Sequence, residues 1–312
     1  MCDLAGMKDS ILTGYLAPEG FEKELRAEIG LHPDLTLQKE LQRLLLVDGP
    51  LRDLAFAQNR WENMQIAHFD SISQAAQVLK KNGKLWSLYS TDFHRRASLI
   101  QEQLLKLKTG AQIFRGPKPD RKLGAWTLEN EKTLWFSLAT DSVYPLGEVQ
   151  FQEDKSAPSR AYLKLWEYFT VSGNWPKRGD KCIDLGSSPG GWTWVLSELD
   201  CSVISVDKAP LADLLQAHPK IQKLKKDAFT LKPEEIGKVD WLFSDIICYP
   251  NKLLELIHLW LASGLAKNLV CTIKFQADTD FKAMQGFQAI PGSKTQHLSC
   301  NKHELTWSLI RT

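Results

Sequence analysis

Nothing in this 312-residue chain is long and apolar enough to span a bilayer, which takes about 20 consecutive apolar residues, so a membrane-spanning helix is excluded. Nor does one sign of charge dominate. Lysine and arginine number 39 and aspartate and glutamate 37, a net charge of +2, so bulk charge alone does not mark a nucleic-acid binder. Cysteine is scarce, at six residues, and neither the cysteines nor the seven scattered histidines fall at the spacing of a zinc site. Cys182, Cys201, Cys271 and Cys300 lie in strand-like apolar stretches and Cys248 just after one, so they read as small buried hydrophobes in a reducing compartment. There is no internal repeat and no low-complexity tract. The first residues lack an unbroken apolar core, because Asp3, Lys8 and Asp9 interrupt it, and do not read as a secretory leader. A cytoplasmic setting is expected.

What the chain does have is a globular balance, 43% hydrophobic and 24% charged, and length enough for two domains. Its organising stretch is Lys181-Cys182-Ile183-Asp184-Leu185-Gly186-Ser187-Ser188-Pro189-Gly190-Gly191-Trp192. The apolar run 182–185 predicts a buried strand, the glycines a turn that admits a ligand close to the main chain, and 192–199 a helix. Such a loop at the carboxyl edge of a parallel strand is where open α/β sheets bind ligands.

Further strands are expected at 203–207, 221–226, 241–246 and 268–274, helices at 253–265 and 281–287, and a closing antiparallel pair at 295–300 and 304–310. Charged residues recur at the strand ends: Asp207, Asp227, Asp245 and Lys274, with Glu304 opening the last strand. Charges seldom end buried strands without a partner. A dehydrogenase loop would read Gly-x-Gly-x-x-Gly, and here Ser188 stands where the second glycine would admit a pyrophosphate. No Gly-Lys-Ser/Thr follows, which excludes a P-loop. A ligand with adenosine and no phosphate fits better, and S-adenosyl-L-methionine is the common one. Asp207, 16 residues after Gly191, suits a ribose diol, and Asp227 beside Phe229 suits an adenine amine.

The first 150 residues predict an α+β region, with strands at 14–17, 41–47, 84–89 and 134–140 and helices at 21–29, 51–61, 71–82 and 94–108. Charge is segregated here. Residues 1–79 hold 7 basic against 12 acidic side chains, and residues 80–122 hold 11 against 3. The basic part includes His94-Arg95-Arg96 and the proline-broken loop 114–122, which can follow phosphates by charge. Residues 148–158 read as a linker. A helix is expected at 159–169, with Ser159 as its N-cap and Lys164 inside it.

The stretch Asp184 to Trp192 resembles the cofactor loop of the FtsJ-type ribose 2′-O-methyltransferases. Pro158-Ser159-Arg160-Ala161-Tyr162-Leu163-Lys164-Leu165 is similar to their Ser-Arg-…-Lys-Leu signature. The resemblance implies an α/β fold. A Rossmann-like S-adenosyl-L-methionine methyltransferase domain would span 151–312, with a seven-stranded mixed sheet whose last strand is antiparallel. An α+β, THUMP-like RNA-binding region would span 1–150, and residues 14–29 are similar to its beginning.

The resemblance also implies that Lys164, Asp245, Lys274 and Glu304 form a Lys-Asp-Lys-Glu tetrad with Lys274 as general base. That role needs a lysine that is neutral part of the time: burial and a neighbouring cation favour the neutral form, whereas carboxylates favour the charged one and hold it in place. Ser159, Gly186, Ser188, Pro189, Gly190, Gly191, Trp192, Asp207, Asp227 and Asp245 would contact the cofactor, and no metal is implied. The implied substrate is RNA, at a cytidine of 23S ribosomal RNA or a large-subunit precursor, and the implied state a monomer away from membranes. Two departures stand out: Ser187-Ser188 replaces the family's Ala-Cys, and Asp245 is followed by Ile246-Ile247-Cys248-Tyr249-Pro250. Two other readings stay open, an RNA-binding protein without turnover and a base N-methyltransferase. The second usually carries Asn/Asp-Pro-Pro-aromatic after the fourth strand.

Overall fold

The computed structural model describes residues 12–311, so the leader reading built on Asp3, Lys8 and Asp9 falls outside the described residues. The chain divides into two units, Met1–Phe151 and Gln152–Thr312.

In the first unit β1 (Leu12–Leu16) leads into α1 (Glu22–Gly30), then a hairpin of β2 (Thr36–Leu41) and β3 (Leu44–Asp48). There follow β4 (Asn59–Glu62), β5 (Gln65–His68), α2 (Ile72–Asn82), β6 (Trp86–Leu88), α3 (His94–Gln101), β7 (Gly124–Asn130), β8 (Thr133–Ser137) and β9 (Ala139–Thr140). The strands form two sheets, β2-β3-β1-β4-β9 and β5-β8-β7-β6. Ser71 caps α2 by accepting the Gln74 amide. Ala75, Ala76 and Leu79 of α2 and Ala97 and Ile100 of α3 bury against Trp86, Trp126, Leu134 and Phe136 of the four-stranded sheet.

Three sequence expectations need correction here. The strand expected at 41–47 is only the second arm of the β2–β3 hairpin, which turns at Gln42 in a left-handed conformation (φ 54°). No helix forms over 51–61. The Glu28 carboxylate, 1% exposed, accepts the amides of Ala55 (2.7 Å) and Phe56 (2.9 Å), donors a helix would have used, and residues 59–62 pair with β1. The helix expected to reach 108 stops at Gln101, because beyond the buried Leu104 the segment exposes Leu105, Lys106 and Lys108 and has no apolar face to bury.

In the second unit α4 (Tyr162–Ser172) precedes β10 (Lys181–Leu185), α5 (Gly191–Glu198), β11 (Ser202–Asp207), α6 (Asp213–Gln216), β12 (Ile221–Lys225) and α7 (Pro233–Ile236). Then come β13 (Val239–Ser244), α8 (Pro250–Ser263), β14 (Ala266–Lys274), α9 (Phe281–Gln288), β15 (Ser293–Gln296) and β16 (Glu304–Leu309). They build one α/β unit around a mixed sheet, ordered β12-β11-β10-β13-β14-β16-β15. The strands from β12 to β14 are parallel; β16 runs antiparallel to both β14 and β15. Strand order reverses between β10 and β13, which opens a crevice at the carboxyl edge.

Ser159 is not an N-cap. The helix starts three residues later, with Ala161 in the cap position and no side-chain cap, while the Ser159 hydroxyl faces the start of α5. The strand expected at 295–300 ends at Gln296, and Cys300 sits in the following turn. That turn is held by Glu167 of α4, whose buried carboxylate accepts the amides of Ser299 (2.8 Å) and Cys300 (2.7 Å) and the Ser299 hydroxyl. The four other cysteines among the described residues are buried and free.

Glu28→Ala should remove the acceptor that holds residues 55–56 and destabilise the first unit by about 2–3 kcal/mol, the usual cost of orphaning buried donors to a charged group. Hydrogen exchange checks it: protection at the Ala55 and Phe56 amides should drop in the variant, and unchanged protection would contradict the account.

Candidate active site

The site begins with the loop after β10. Its strand is buried because it is central, paired with β11 on one side and β13 on the other. Gly186 (φ 76°) and Gly190 (φ 115°) adopt left-handed backbone that other residues rarely take. A side chain on Gly186 would strike Ile246, so this glycine lets the loop after β13 close onto the loop after β10. A Cβ on Gly191 would lie 2.6 Å from the Ser159 hydroxyl.

These loops enclose a cavity of about 330 Å³. Of the sequence-predicted cofactor residues, Ser159, Gly186, Ser188, Pro189, Gly191, Trp192, Asp207 and Asp245 line it, together with Lys274. Gly190 and Asp227 do not line it. The Cα–H face of Gly190 is turned to Leu215 and Leu211. Asp227 is taken up by Lys208 at 2.7 Å and by the Phe229 amide at 3.0 Å, and the Lys208 ammonium holds its carboxyl below the usual range. Asp207 is engaged as well, accepting the amides of Ser188 (3.0 Å) and Ala209 (2.9 Å), so it braces the glycine loop from the next strand.

Four charged side chains meet beside this cavity. Lys164 Nζ lies 2.7 Å from Glu304 Oε1 and 3.2 Å from both carboxylate oxygens of Asp245. Lys274 Nζ lies 2.9 Å from Asp245 Oδ1 and donates to the Asp245 carbonyl at 2.6 Å. The side chains are 7–16% exposed. The Lys164–Glu304 contact is an ion pair rather than a well-directed hydrogen bond. Burial pushes the Lys164 ammonium down, but the Asp245 and Glu304 carboxylates outweigh it, and its pKa ends above the ordinary lysine value.

The topology explains the meeting. Asp245 follows β13 and Lys274 ends the neighbouring parallel β14. Because β16 is antiparallel, its first residue, Glu304, lies at the same edge, in register with Lys274. Lys164 comes in from α4, whose Phe169 packs edge-on against Phe243 of β13.

Sequence reasoning missed other residues. Asp184, Ser187, Ala161, Ile246 and Ile247 also line the cavity. Asp184 is buried, receives the Thr193 hydroxyl at 2.7 Å, and burial raises its pKa to about 7. An acid inside the apolar run 182–185 was the signal for it. Glu167, one helical turn from Lys164, was signalled by an acid in an otherwise apolar helix.

Residues 157–275, which carry the glycine loop and three of the four charged residues, match the family described as FtsJ-like methyltransferase. The chain is also similar to "Ribosomal RNA large subunit methyltransferase M" of Laribacter hongkongensis, 36% identical over 42% of this chain and 38% of that protein. It is similar to the protein of the same name from Azotobacter vinelandii, 30% identical over 64% of this chain and 50% of that one. It thus spans half or less of the length of these curated relatives. Among solved structures, a ribosomal RNA methyltransferase from Plasmodium falciparum aligns at 15% identity and a TM-score of 0.39, over 49% of this chain and 97% of that one.

The lining of this cavity offers carboxyl and hydroxyl groups to a polar ligand. Asp207 and Asp245 line it with the Lys274 ammonium, and Asp184, which keeps its proton to about pH 7, adds a neutral carboxyl group. The hydroxyls of Ser159 and Ser187 are buried there without a partner, free to bond a ligand. The volume is within the range of small-molecule sites.

The raised pKa of Asp184 gives a pH signature. Folded Asp184 keeps its proton up to about pH 7, whereas unfolded it loses it near 3.8, so between those values the folded state binds more protons and stability falls as pH rises. Relative to wild type, Asp184→Asn should therefore gain a few kcal/mol in unfolding free energy between pH 4 and pH 7.5. Urea titrations at the two pH values measure it; a pH-independent difference would contradict the shift.

Proposed function

We propose that the protein is an S-adenosyl-L-methionine-dependent RNA ribose 2′-O-methyltransferase acting on a cytidine of 23S ribosomal RNA or a large-subunit precursor. The observation that carries the reading is the convergence of Lys164, Asp245, Lys274 and Glu304 beside the cavity of the glycine loop, within and next to the stretch that matches the FtsJ-like family. Its relatives' name, a ribosomal RNA large subunit methyltransferase, agrees with the substrate.

Bound S-adenosyl-L-methionine supplies an electrophilic methyl group on a positively charged sulfur. The chain's residues do the rest. Ser159, Ser187, Ser188 and Asp207 hold the cofactor in the cavity. Lys274 takes the proton of the ribose 2′-hydroxyl. Asp245 fixes the Lys274 nitrogen by two contacts, from its carboxylate and its carbonyl, so the remaining direction faces the cavity that Lys274 lines. Lys164, kept protonated by its two carboxylates, offsets their charge. With Lys274 neutral the cluster carries one net negative charge, and accepting the ribose proton returns it to neutrality. Fixed orientation of the hydroxyl supplies much of the acceleration.

The first unit is a THUMP-like RNA-binding region in this reading, and the protein works as a cytoplasmic monomer. Lys80, Lys84 and Lys122 support the RNA contact: all three are exposed and line two hollows of about 460 and 390 Å³ that share Gly83, Lys84 and Trp86. No described helix is long and apolar enough to cross a membrane.

Lys274→Ala should lower methyl transfer to 23S RNA about 10²–10⁴-fold, the usual yield of a general base, while calorimetry shows S-adenosyl-L-methionine still binding. Normal turnover by this variant would remove Lys274 from its role. Lys80→Gln, Lys84→Gln and Lys122→Gln together should weaken RNA binding and flatten its salt dependence by about one unit of slope for each phosphate no longer neutralised. An unchanged slope in a salt titration would move the RNA elsewhere.

A further inference from the structure

The loop that joins β13 to α8 alternates in a way the cofactor does not explain. Ile246 rests on Gly186, and Cys248 and Pro250 are buried. Between them Ile247 and Tyr249 point outward, 80% and 67% exposed. The exposure is built in rather than loose. Pro250 occupies the first turn of α8 with its fixed φ, and the Tyr249 carbonyl accepts the amides of Lys252 (3.1 Å) and Leu253 (3.3 Å). Buried Cys248 anchors the loop between the two exposed side chains.

The position of this pair suggests its occupant. Ile247 lines the cavity that Asp245 and Lys274 line, and Tyr249 stands four residues past Asp245. A nucleotide that presents its 2′-hydroxyl to Lys274 carries its base on the adjoining sugar carbon. In single-stranded RNA that base is unstacked and needs an apolar or aromatic face. Two side chains are far too little for a stable interface between proteins, which needs roughly 800 Å² from each partner, and a single base is an occupant of their scale.

We infer that Ile247 and Tyr249 form a stacking platform for the base of the methylated nucleotide in single-stranded RNA. This rests on the ribose methyltransferase reading of the same cavity and adds how the acceptor is held. Stacking recognises any base by its face, so the platform places the ribose and leaves sequence choice to other contacts.

The test uses the full chain and two fluorescently labelled probes, a 12-nucleotide oligocytidylate and an abasic ribose-phosphate strand of equal length. Wild type should bind the oligocytidylate about tenfold more tightly than the abasic strand, the size of one stacking contact. Tyr249→Ala and Ile247→Ser should bring that ratio down towards one with abasic binding unchanged, and Tyr249→Phe should keep it. The platform is overturned if Tyr249→Ala binds both probes as wild type does, or weakens both equally. It is also overturned if light scattering shows a wild-type dimer that Tyr249→Ala dissociates, since a second copy would then cover the loop. Binding needs no methyl transfer, so the two readings fail separately. A chain that stacks the base but never methylates RNA loses the enzyme reading and keeps only base stacking at this loop; one that methylates with Tyr249→Ala affinity unaltered loses only the platform.

Discussion

One ammonium shared between two carboxylates holds the second unit's chemistry together. Lys164 on α4 reaches Asp245 past β13 and Glu304 at the start of β16, so a single cation ties a helix to two strand ends. Burying that charge is unfavourable by itself, and two acids are what keep it there. Glu167, one turn along the same helix, adds a second tie by gripping the turn that leads into β16. The helix therefore positions Glu304 twice, directly through Lys164 and indirectly through the backbone of residues 299–300.

Strand direction does the remaining work. In a wholly parallel sheet the residue at the carboxyl edge is always the last of its strand. Turning β16 around brings a first residue to that edge, beside Lys274 in register. The same edge carries the glycine loop, where lack of a side chain at Gly186 lets Ile246 close down and bring Asp245 with it. Ile247, which also lines the cavity, and Tyr249 lie on the outward side of that segment and are largely exposed.

Much of this was legible in the chain. The glycine loop and the apolar strands 181–185, 202–207, 239–244 and 266–274 show because strands buried on both faces are continuous apolar runs. Charges at the ends of such runs show because they break the pattern. The first unit was harder to read. β2 and β5 are largely exposed and carry no apolar run, and residues 51–57 looked helical until Glu28, more than twenty residues earlier, claimed their amides. Ser159 had the composition of a cap, yet its hydroxyl turns to the start of α5, a neighbour that sequence distance conceals.

By itself the sequence determined the order of the strands and longer helices in the second unit, the loop able to approach a ligand, and which side chains were available for chemistry. Those follow from local properties: hydrophobic period, glycine's freedom and a charge at the end of an apolar run. Only the tertiary structure decided that residues 164, 245, 274 and 304 share one pocket edge, that Asp227 and Gly190 stay outside the cavity while Asp184 lines it, and that Ile247 and Tyr249 face outward. Those depend on strand order, on one antiparallel strand and on contacts between residues up to 140 positions apart, and no local pattern encodes them.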